Sequence, residues 1–238
     1  MKLSDRLHEP EWMDQGAPFC TPEEYEDCLY KLDRVGRLLG GDKATFWAFS
    51  KLGMPPSSIL DVGCGGGHFT IRLAQQYPNA KVLGIDVAQE AIHFAKKILK
   101  ETDPPVSNVE FLVPPTPELI FPPHSFDVVT STLVCHHLSD EQLISFLQRA
   151  YKIAKQAVIL NDLHRHYLAT AGFALLTPFL FRNRVVMHDG LLSIRRAFTK
   201  QDWINYLQAA QIPLERCVIT WHWPFRWIVF INADPTGK

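Results

Sequence analysis

The sequence has no excess of basic residues. Its 238 residues include 24 lysines and arginines against 25 aspartates and glutamates, so the formal net charge is −1. A protein that follows the phosphates of DNA or RNA normally carries clustered positive charge. We therefore expect no nucleic-acid partner, whereas a charge near zero leaves small-molecule chemistry open.

Cysteine is sparse and irregularly placed. There are five cysteines, an odd number, and none belongs to a C-x-x-C pair. Disulfide frameworks and structural zinc sites need such pairs, so we expect reduced thiols and a cytoplasmic location. The first 14 residues agree with this expectation, because they are polar where a secretory signal would place an apolar run.

The chain also lacks a hydrophobic run long enough to cross a membrane. The nearest case is the apolar stretch YLATAGFALLTPFLF at residues 167–181, which is interrupted by Pro178. It falls short of the ~20 residues that a bilayer requires, so we expect no transmembrane segment. Three interpretations stay open for it: a lid over a hydrophobic acceptor, a surface in peripheral contact with a membrane, or a buried core helix.

Short apolar runs alternate with helical stretches along most of the chain. Such alternation is typical of right-handed βαβ units and a doubly wound parallel sheet. Two β-rich runs near the end of the sequence predict a closing antiparallel pair. The predicted fold class is α/β, a Rossmann-like doubly wound sheet of seven strands whose last strand is antiparallel. The first five strands are predicted at 57–63, 81–85, 108–112, 126–131 and 157–161, and the helices of this region at 68–76, 89–100 and 140–155.

Further helical segments flank this core. Thr21 is a suitable N-cap, because Pro22 takes the first helical position and Glu24 follows three residues after the cap. We expect a single domain over residues 1–238. Its parts are an N-terminal helical cap (1–54), the core (55–161), an acceptor-side helical insertion after the fifth strand (162–198), and a final helix with the closing strands (199–238).

A glycine-rich turn follows the first predicted strand, where Asp61 leads the pattern D-x-G-x-G-x-G. Glycines between a strand and a helix let the backbone turn tightly and let a ligand lie against bare peptide. Asp86 ends the second strand, a position from which an acid accepts both ribose hydroxyls of a nucleotide-like cofactor. NAD and S-adenosylmethionine both suit such a turn, and Asp61 favours the second because its carboxylate matches a cationic amino-acid tail.

Three stretches carry a family resemblance. ILDVGCGGGHFT, VLGIDVAQEAI and FDVVTSTLVCHHLSDEQL resemble the successive motifs of class I S-adenosylmethionine-dependent methyltransferases, and the similarity covers residues 55–161. It implies a Rossmann-like fold, S-adenosylmethionine as methyl donor and S-adenosylhomocysteine as product. A looser resemblance, to small-molecule methyltransferases associated with type III polyketide synthases, rests on EWMD (11–14), RVGRLLGG (34–41), NDLHRH (161–166) and HDGLLSIRRAFT (188–199).

The resemblance implies roles for individual residues. The turn residues would surround the methionine part of the cofactor, Asp86 would bind the ribose, and Val87 would pack on adenine. The family commonly has Gly-Asp-Ala after the third strand, but this chain has Pro114-Pro115-Thr116, so adenine recognition would rely on the Thr116 backbone. The predicted cofactor-binding residues are Asp61, Gly63, Cys64, Gly65, Gly67, Asp86, Val87, Thr116 and Thr132.

The segment after the fourth strand bears on the reaction. Enzymes that methylate amide or base nitrogens often show [DN]PP[YF] there, whereas this chain has Thr132-Leu133-Val134-Cys135. His136 and His137 follow, and an imidazole titrates in the range useful for removing a proton. Either histidine can equally be structural, and the further candidate bases are His164, His166 and His188. The histidines lack any established metal-ligand spacing, so no metal ligand is predicted.

These features favour methylation of a small aromatic or hydrophobic acceptor, with O-methylation of a phenol preferred. Aromatic residues of the N-terminal helices would contribute to the acceptor pocket. The alternatives are C-methylation of a quinone precursor, an NAD-dependent oxidoreductase, and a non-catalytic binder of S-adenosylmethionine or lipid. The aromatic residues expected at the pocket are Trp12, Phe19, Tyr25 and Tyr30.

Overall fold

A seven-stranded sheet forms the centre of the protein in a computed structural model that describes residues 6–180 and 183–233. The strand order is β3-β2-β1-β4-β5-β7-β6. The first five strands run parallel, and β7 lies antiparallel between β5 and β6. The strands are β1 (Ser58–Val62), β2 (Lys81–Ile85), β3 (Val109–Leu112), β4 (Phe126–Thr132), β5 (Ala154–Leu163), β6 (Cys217–His222) and β7 (Arg226–Asn232).

This topology confirms the predicted α/β class, the seven strands and the antiparallel closing pair. The predicted bounds of β5 and of the helix before it are wrong. β5 begins at Ala154 rather than 157, because Ala154 already pairs with Phe126, with a bulge in β5 between that pair and Ala157. It continues to Leu163, since β7 pairs with it along its whole second half. The preceding helix accordingly ends at Ile153.

Helices cover both faces of the sheet. Successive residues of the central strands alternate between two cores: Leu60 packs with α6 and α9, and Ile59 packs with α3, α4 and α5. The helices are α1 (Trp12–Gln15), α2 (Pro22–Leu38), α3 (Gly41–Phe49), α4 (His68–Gln76), α5 (Gln89–Glu101), α6 (Asp140–Ile153), α7 (Tyr167–Leu180), α8 (Arg184–Arg196) and α9 (Lys200–Ala209).

The capping box expected at the first long helix is present. Thr21 Oγ1 accepts a hydrogen bond from the Glu24 amide, and the Glu24 carboxylate accepts one from the Thr21 amide. The same device begins α6 at Ser139 and α9 at Thr199. These reciprocal bonds satisfy amides that would otherwise lack partners at a helix start.

The apolar stretch after β5 forms α7, and its described side chains contradict the interpretation as a buried core helix. Tyr167 and Leu175 are 65% and 69% exposed. Phe181, the last residue of the stretch, lies outside the described residues. In the part of the chain that the structure describes, no helix combines the length and apolarity needed to cross a membrane. The next helix, α8, also lies within the predicted helical insertion, although its bounds were not predicted.

Candidate active site

The glycine turn joins β1 to α4 in a conformation that requires glycine. Gly63, Gly65 and Gly67 have φ values of +70°, +51° and +75°, which L-residues with a side chain rarely adopt. A Cβ at Gly63 would lie 2.3 Å from Val134 Cγ2, and one at Gly67 would lie 2.7 Å from the Phe111 ring. At Gly65 a Cβ would meet only Leu29 Cδ2, at 3.8 Å, which is an ordinary van der Waals contact.

Asp86 holds this turn from the end of β2. Its Oδ2 accepts a hydrogen bond from the Gly65 amide at 2.8 Å, and its Oδ1 accepts one from the Ala88 amide at 2.9 Å. Burial raises the pKa of Asp86, although these two bonds oppose the rise. Because each carboxylate oxygen has two acceptor sites, Asp86 can still accept hydrogen bonds from a bound ligand.

Asp61 lies beneath the turn rather than at its surface. The side chain is on β1 and 2% exposed, and its Oδ2 accepts a hydrogen bond from the Thr70 hydroxyl of α4 at 2.6 Å. Burial raises the pKa of this carboxyl to about 7. Asp61 therefore ties α4 to the sheet, and direct contact with a cofactor's amino-acid tail stays a prediction. Thr70 is a partner that sequence analysis missed.

The predicted adenine side is apolar and open. Val87, at 65% exposure, follows β2, and the neighbouring strand β3 ends at Leu112, followed by Val113, exposed by 41% and 43%. The ends of these two adjacent strands thus present apolar surface. Leu112 and Val113 were not singled out from the sequence. Thr116 is exposed in the loop beyond, where its hydroxyl donates to the Glu118 carbonyl at 3.4 Å.

Cys64 and Thr132 lie where the two neighbouring strands β1 and β4 end. The Cys64 thiol is half-buried, and burial raises its pKa well above the usual value. Thr132 Oγ1 is buried without a hydrogen-bond partner among the described residues. An unsatisfied buried hydroxyl costs free energy, so a polar ligand group at this edge of the sheet would stabilise it.

The chain after β4 turns through Leu133, at φ +60°, into a 3₁₀ turn that carries both candidate histidines. His136 is 3% exposed, and its Nδ1 lies 2.7 Å from Oδ1 of Asp162 on β5. Burial would raise the pKa of Asp162, but the charge and hydrogen bond of His136 hold it below the usual value. The pair is therefore a buried imidazole–carboxylate dyad.

His137 makes a second imidazole–carboxylate pair. Its Nδ1 lies 2.8 Å from Oδ2 of Asp14. Burial lowers the pKa of His137, but the Asp14 hydrogen bond and the Glu11 carboxylate outweigh it and raise the pKa. The Nε2 atoms of the two rings face one group: Glu11 Oε1 is 3.7 Å from His136 Nε2, and Glu11 Oε2 is 3.9 Å from His137 Nε2.

The N-terminal segment reaches the histidines because α8 holds it there. Asp189 accepts hydrogen bonds from the Trp12 and Met13 amides, both at 2.9 Å. The Ser193 hydroxyl donates to Glu11 Oε1 at 2.8 Å. Arg196 donates to the carbonyl oxygens of the two histidines at 3.0 and 2.9 Å. Segments that are distant in sequence thus meet around His136 and His137.

His188 is separated from this pair. Its ring stacks on Trp12 with 3.8 Å between centroids, and its Nδ1 lies 2.7 Å from Asp189 Oδ1. His188 therefore supports α1. Elsewhere, His164 packs near His166 and Phe225, and burial with the neighbouring cations lowers the pKa of His164 to about 4.

Helix α2 covers the turn and brings one predicted aromatic residue to the site. Leu29 Cδ2 is the nearest atom to a Cβ at Gly65. Burial raises the pKa of Tyr25, and the carboxylates of Asp86 and Asp14 add to the rise. Tyr25 therefore lies near both Asp86, beside the glycine turn, and Asp14, the partner of His137. Tyr30 instead packs edge-on against Phe94 of α5.

Comparison with known proteins agrees with this geometry. Residues 59–157 match the family model described as a methyltransferase domain. Residues 59–157 are therefore similar in sequence to a methyltransferase domain. The matched residues run from β1 into β5 and include the glycine turn, Asp86 and both histidines of the 3₁₀ turn.

Curated relatives match this chain over part of their length. It is 31% identical to a ubiquinone biosynthesis O-methyltransferase of Nitrosospira multiformis over 149 residues, 60% of this chain and 52% of the relative. It is 42% identical to a demethylmenaquinone methyltransferase of Lactococcus lactis over 74 residues, 31% of this chain and 29% of the relative. The chain spans about a third to a half of the length of the curated relatives it matches.

Solved structures share the fold. A SAM-dependent methyltransferase from Aquifex aeolicus superposes with a TM-score of 0.65 at 20% identity, covering 87% of this chain and 98% of that one. Human N-acetylserotonin methyltransferase gives 0.64 at 16% identity, covering 90% and 57%. The looser resemblance to polyketide-associated methyltransferases stays a prediction.

Proposed function

We propose that the protein is an S-adenosylmethionine-dependent methyltransferase that acts on a small aromatic acceptor, with O-methylation of a phenol as its reaction. The observation that carries the proposal is the position of two imidazole–carboxylate pairs at the same sheet edge as the glycine turn. His137 is close enough to Asp86 for its charge to lower the pKa of that carboxyl. A donor held at the turn and an acceptor at the histidines would therefore be neighbours.

The residues at the turn fit the proposed cofactor. Asp86 keeps acceptor capacity for ribose hydroxyls, and Thr132 offers a buried hydroxyl without a partner among the described residues. At Gly65 the absence of a side chain lets a ligand approach the backbone. Val87, Leu112 and Val113 provide apolar surface for adenine. S-adenosylmethionine supplies a methyl group on a sulfonium, which passes to the acceptor and leaves S-adenosylhomocysteine.

One of the two histidines would remove the proton from the acceptor's hydroxyl group. A phenol has a pKa of about 10, so a neutral phenol must lose its proton to become a strong nucleophile. With Nδ1 directed at Asp162 or Asp14, a neutral imidazole keeps the Nε2 lone pair for that proton. The two Nε2 atoms face one space beside Glu11, and we place the acceptor's ionising group there. His188, which stacks on Trp12, would act as a positioning residue.

The exposed face of α7 suits an apolar acceptor. Tyr167, Leu168 and Leu175 are 65%, 50% and 69% exposed, and α7 packs on α8, the helix that holds Glu11. We propose that this face guides the acceptor toward the histidines. Peripheral membrane contact by the same face is the alternative, and binding to neutral vesicles distinguishes the two.

C-methylation of a quinone precursor is the second candidate. A demethylmenaquinone methyltransferase is among the relatives, and an acidic ring carbon needs a base as a phenol does. One assay separates the two reactions: the protein is incubated with methyl-labelled S-adenosylmethionine and a panel of phenols and hydroquinones, and the label is located by NMR.

The expected result is label on an acceptor oxygen, with S-adenosylhomocysteine formed in equal amount. Label on a ring carbon would overturn O-methylation in favour of the second candidate. Native mass spectrometry of the purified protein provides the first check. Co-purified NAD instead of S-adenosylmethionine or S-adenosylhomocysteine would support an oxidoreductase, and bound donor without any transfer would support a non-catalytic binder.

A further inference from the structure

We propose that Glu11, His136 and His137 bind one divalent transition-metal ion, with Zn²⁺ the best match. One carboxylate oxygen and the two ring nitrogens lie within 4.8 Å of one another. Two imidazoles and one carboxylate form the ligand set of a known class of zinc site. Glu11 and His136 are 125 positions apart in the sequence, so no short metal-binding motif predicts this arrangement.

The distances suit an ion after a small contraction. Ligand atoms about 2.0–2.2 Å from a tetrahedral Zn²⁺ lie roughly 3.3–3.6 Å from one another. The separations from Glu11 to the two Nε2 atoms are 3.7 and 3.9 Å. These two separations involve different oxygens of Glu11, and the three ligand atoms as a set lie within 4.8 Å of one another. Side-chain shifts of up to about one ångström would bring all three onto one ion. The side chain of His137, 28% exposed, is the ligand with most freedom to move.

Each histidine already has the outer partner that metal-bound imidazoles use. Metal-ligating histidines almost always donate the other ring N–H to a carboxylate or carbonyl, which fixes the tautomer. His136 directs Nδ1 at Asp162, at 2.7 Å, and His137 directs Nδ1 at Asp14, at 2.8 Å. Both Nε2 lone pairs are thereby left for the ion. Two histidines with this arrangement beside one buried carboxylate form a built site.

The local charge also favours a cation. Three carboxylates, those of Glu11, Asp14 and Asp162, surround the two imidazoles. Two guanidinium groups oppose them: Arg196 Nη1 is 3.7 Å from Glu11 Oε1, and Arg6 donates to the His136 carbonyl at 3.3 Å. Arg196 is also bonded to the Glu9, His136 and His137 carbonyls. The carboxylates thus outnumber the guanidinium groups by one, and a divalent ion would offset that difference.

Three protein ligands leave a fourth position open, as in catalytic rather than structural zinc sites. The consequence for catalysis rests on the proposed function, whereas metal binding itself does not. An acceptor oxygen in the open position would ionise near neutral pH, since a bound Zn²⁺ lowers the pKa of its oxygen ligand. The imidazoles would then act as ligands, and the ion would replace them in making the acceptor nucleophilic.

Metal binding is tested by titrating chelator-treated, dialysed protein with Zn²⁺ in a calorimeter. The wild type should bind one ion per chain. Glu11→Gln and His137→Gln should weaken binding at least tenfold, and Asp14→Asn by about 10–100-fold, the effect typical of losing an outer partner. His166→Gln is the matched control, because His166 stacks on Phe225 outside the cluster. Circular dichroism establishes that each variant is folded.

Cobalt identifies the ligands independently. Co²⁺ bound to this site should show no thiolate-to-metal charge-transfer band, since the proposed ligands are nitrogen and oxygen. No binding by folded wild-type protein, unchanged affinity in both ligand variants, or a thiolate band would each overturn the proposed site. Full methyl transfer by chelator-treated protein would overturn the ion's catalytic role in favour of a histidine base. If the wild-type protein binds Zn²⁺ but does not bind S-adenosylmethionine, the proposed methyltransferase activity is contradicted and the metal site is not.

Discussion

His136 Nδ1 lies 2.7 Å from Asp162 Oδ1, with both side chains buried and 26 positions apart in the sequence. Asp162 also accepts the His136 amide, at 3.2 Å, so one carboxylate holds both the ring and its backbone. A buried carboxylate with such a partner couples the stability of the fold to the orientation of the imidazole.

Replacing Asp162 by Asn should therefore change acid sensitivity as well as activity. The folded-state pKa of Asp162 is below the usual value, so its stabilisation is present above the unfolded pKa of about 4 and is lost as the pH falls through the folded value. Asp162→Asn should lower the free energy of unfolding by about 3 kcal/mol at pH 7. Below pH 4, the free energy of unfolding of the variant should fall less steeply than that of the wild type.

Urea titrations at pH 7 and at pH 3.5 measure both effects. Asp103→Asn is the control, since Asp103 is exposed. Equal urea midpoints for Asp162→Asn and the wild type at pH 7 would contradict the buried dyad.

Asp61 should give the opposite pH dependence. Its pKa is raised to about 7 in the folded state, so the folded protein holds this proton more tightly than the unfolded chain. The free energy of unfolding should then fall as the pH rises from about 4 to 7, by at most about 4 kcal/mol from this group.

Asp61→Asn keeps a neutral polar group beside Thr70 and should remove that slope. The measurement is the difference in urea midpoint between variant and wild type at pH 5 and at pH 7.5. A difference that stays constant over this range would show that Asp61 titrates normally.

Asp86→Asn should weaken donor binding. Charge-assisted hydrogen bonds contribute about 1.5–3 kcal/mol each, so the loss of one corresponds to roughly 10- to 100-fold in the Kd for S-adenosylhomocysteine. Calorimetry measures that Kd, with Asp103→Asn as the matched control. An unchanged Kd in a folded variant would remove Asp86 from the ribose site.

Gly67→Ala should destabilise the protein strongly. The residue has φ +75°, and a Cβ would lie 2.7 Å from both the Ala95 methyl and the Phe111 ring. Backbone strain and overpacking together should cost about 2–5 kcal/mol. Gly53→Ala is the control, because nothing lies within 4 Å of its Cβ position. The urea midpoints of Gly67→Ala and Gly53→Ala measure this difference in stability. Similar midpoints for the two variants would contradict the predicted strain at Gly67.

Local features were predictable from the sequence, since they depend on neighbours in the chain. The glycine turn follows from strand, glycine and helix propensities over about ten residues, and the Thr21 capping box from a span of four. The start of β5 was not predictable, because Ala154 joins the strand through its pairing with Phe126.

The histidine site lay beyond sequence analysis for a similar reason. His136 and His137 were candidates, but their partners come from other segments: Asp162 from β5, and Glu11 and Asp14 from the N-terminal segment. Glu11 and Asp14 occur in EWMD, a stretch noted only for its resemblance. A carboxylate within reach of two imidazoles was the missing information, and only the fold supplies it.

The bond between Ser193 and Glu11 joins residues 182 positions apart. At 5–20 residues per second, a ribosome needs roughly 10–40 s to synthesise the intervening chain. The strands that flank the glycine turn emerge well before that. A nascent chain can therefore assemble this turn before α8 is available to position Glu11. The cluster of Glu11, His136 and His137 is the last part to assemble during synthesis. A chain stalled before α8 would contain the glycine turn but would lack the bond that positions Glu11.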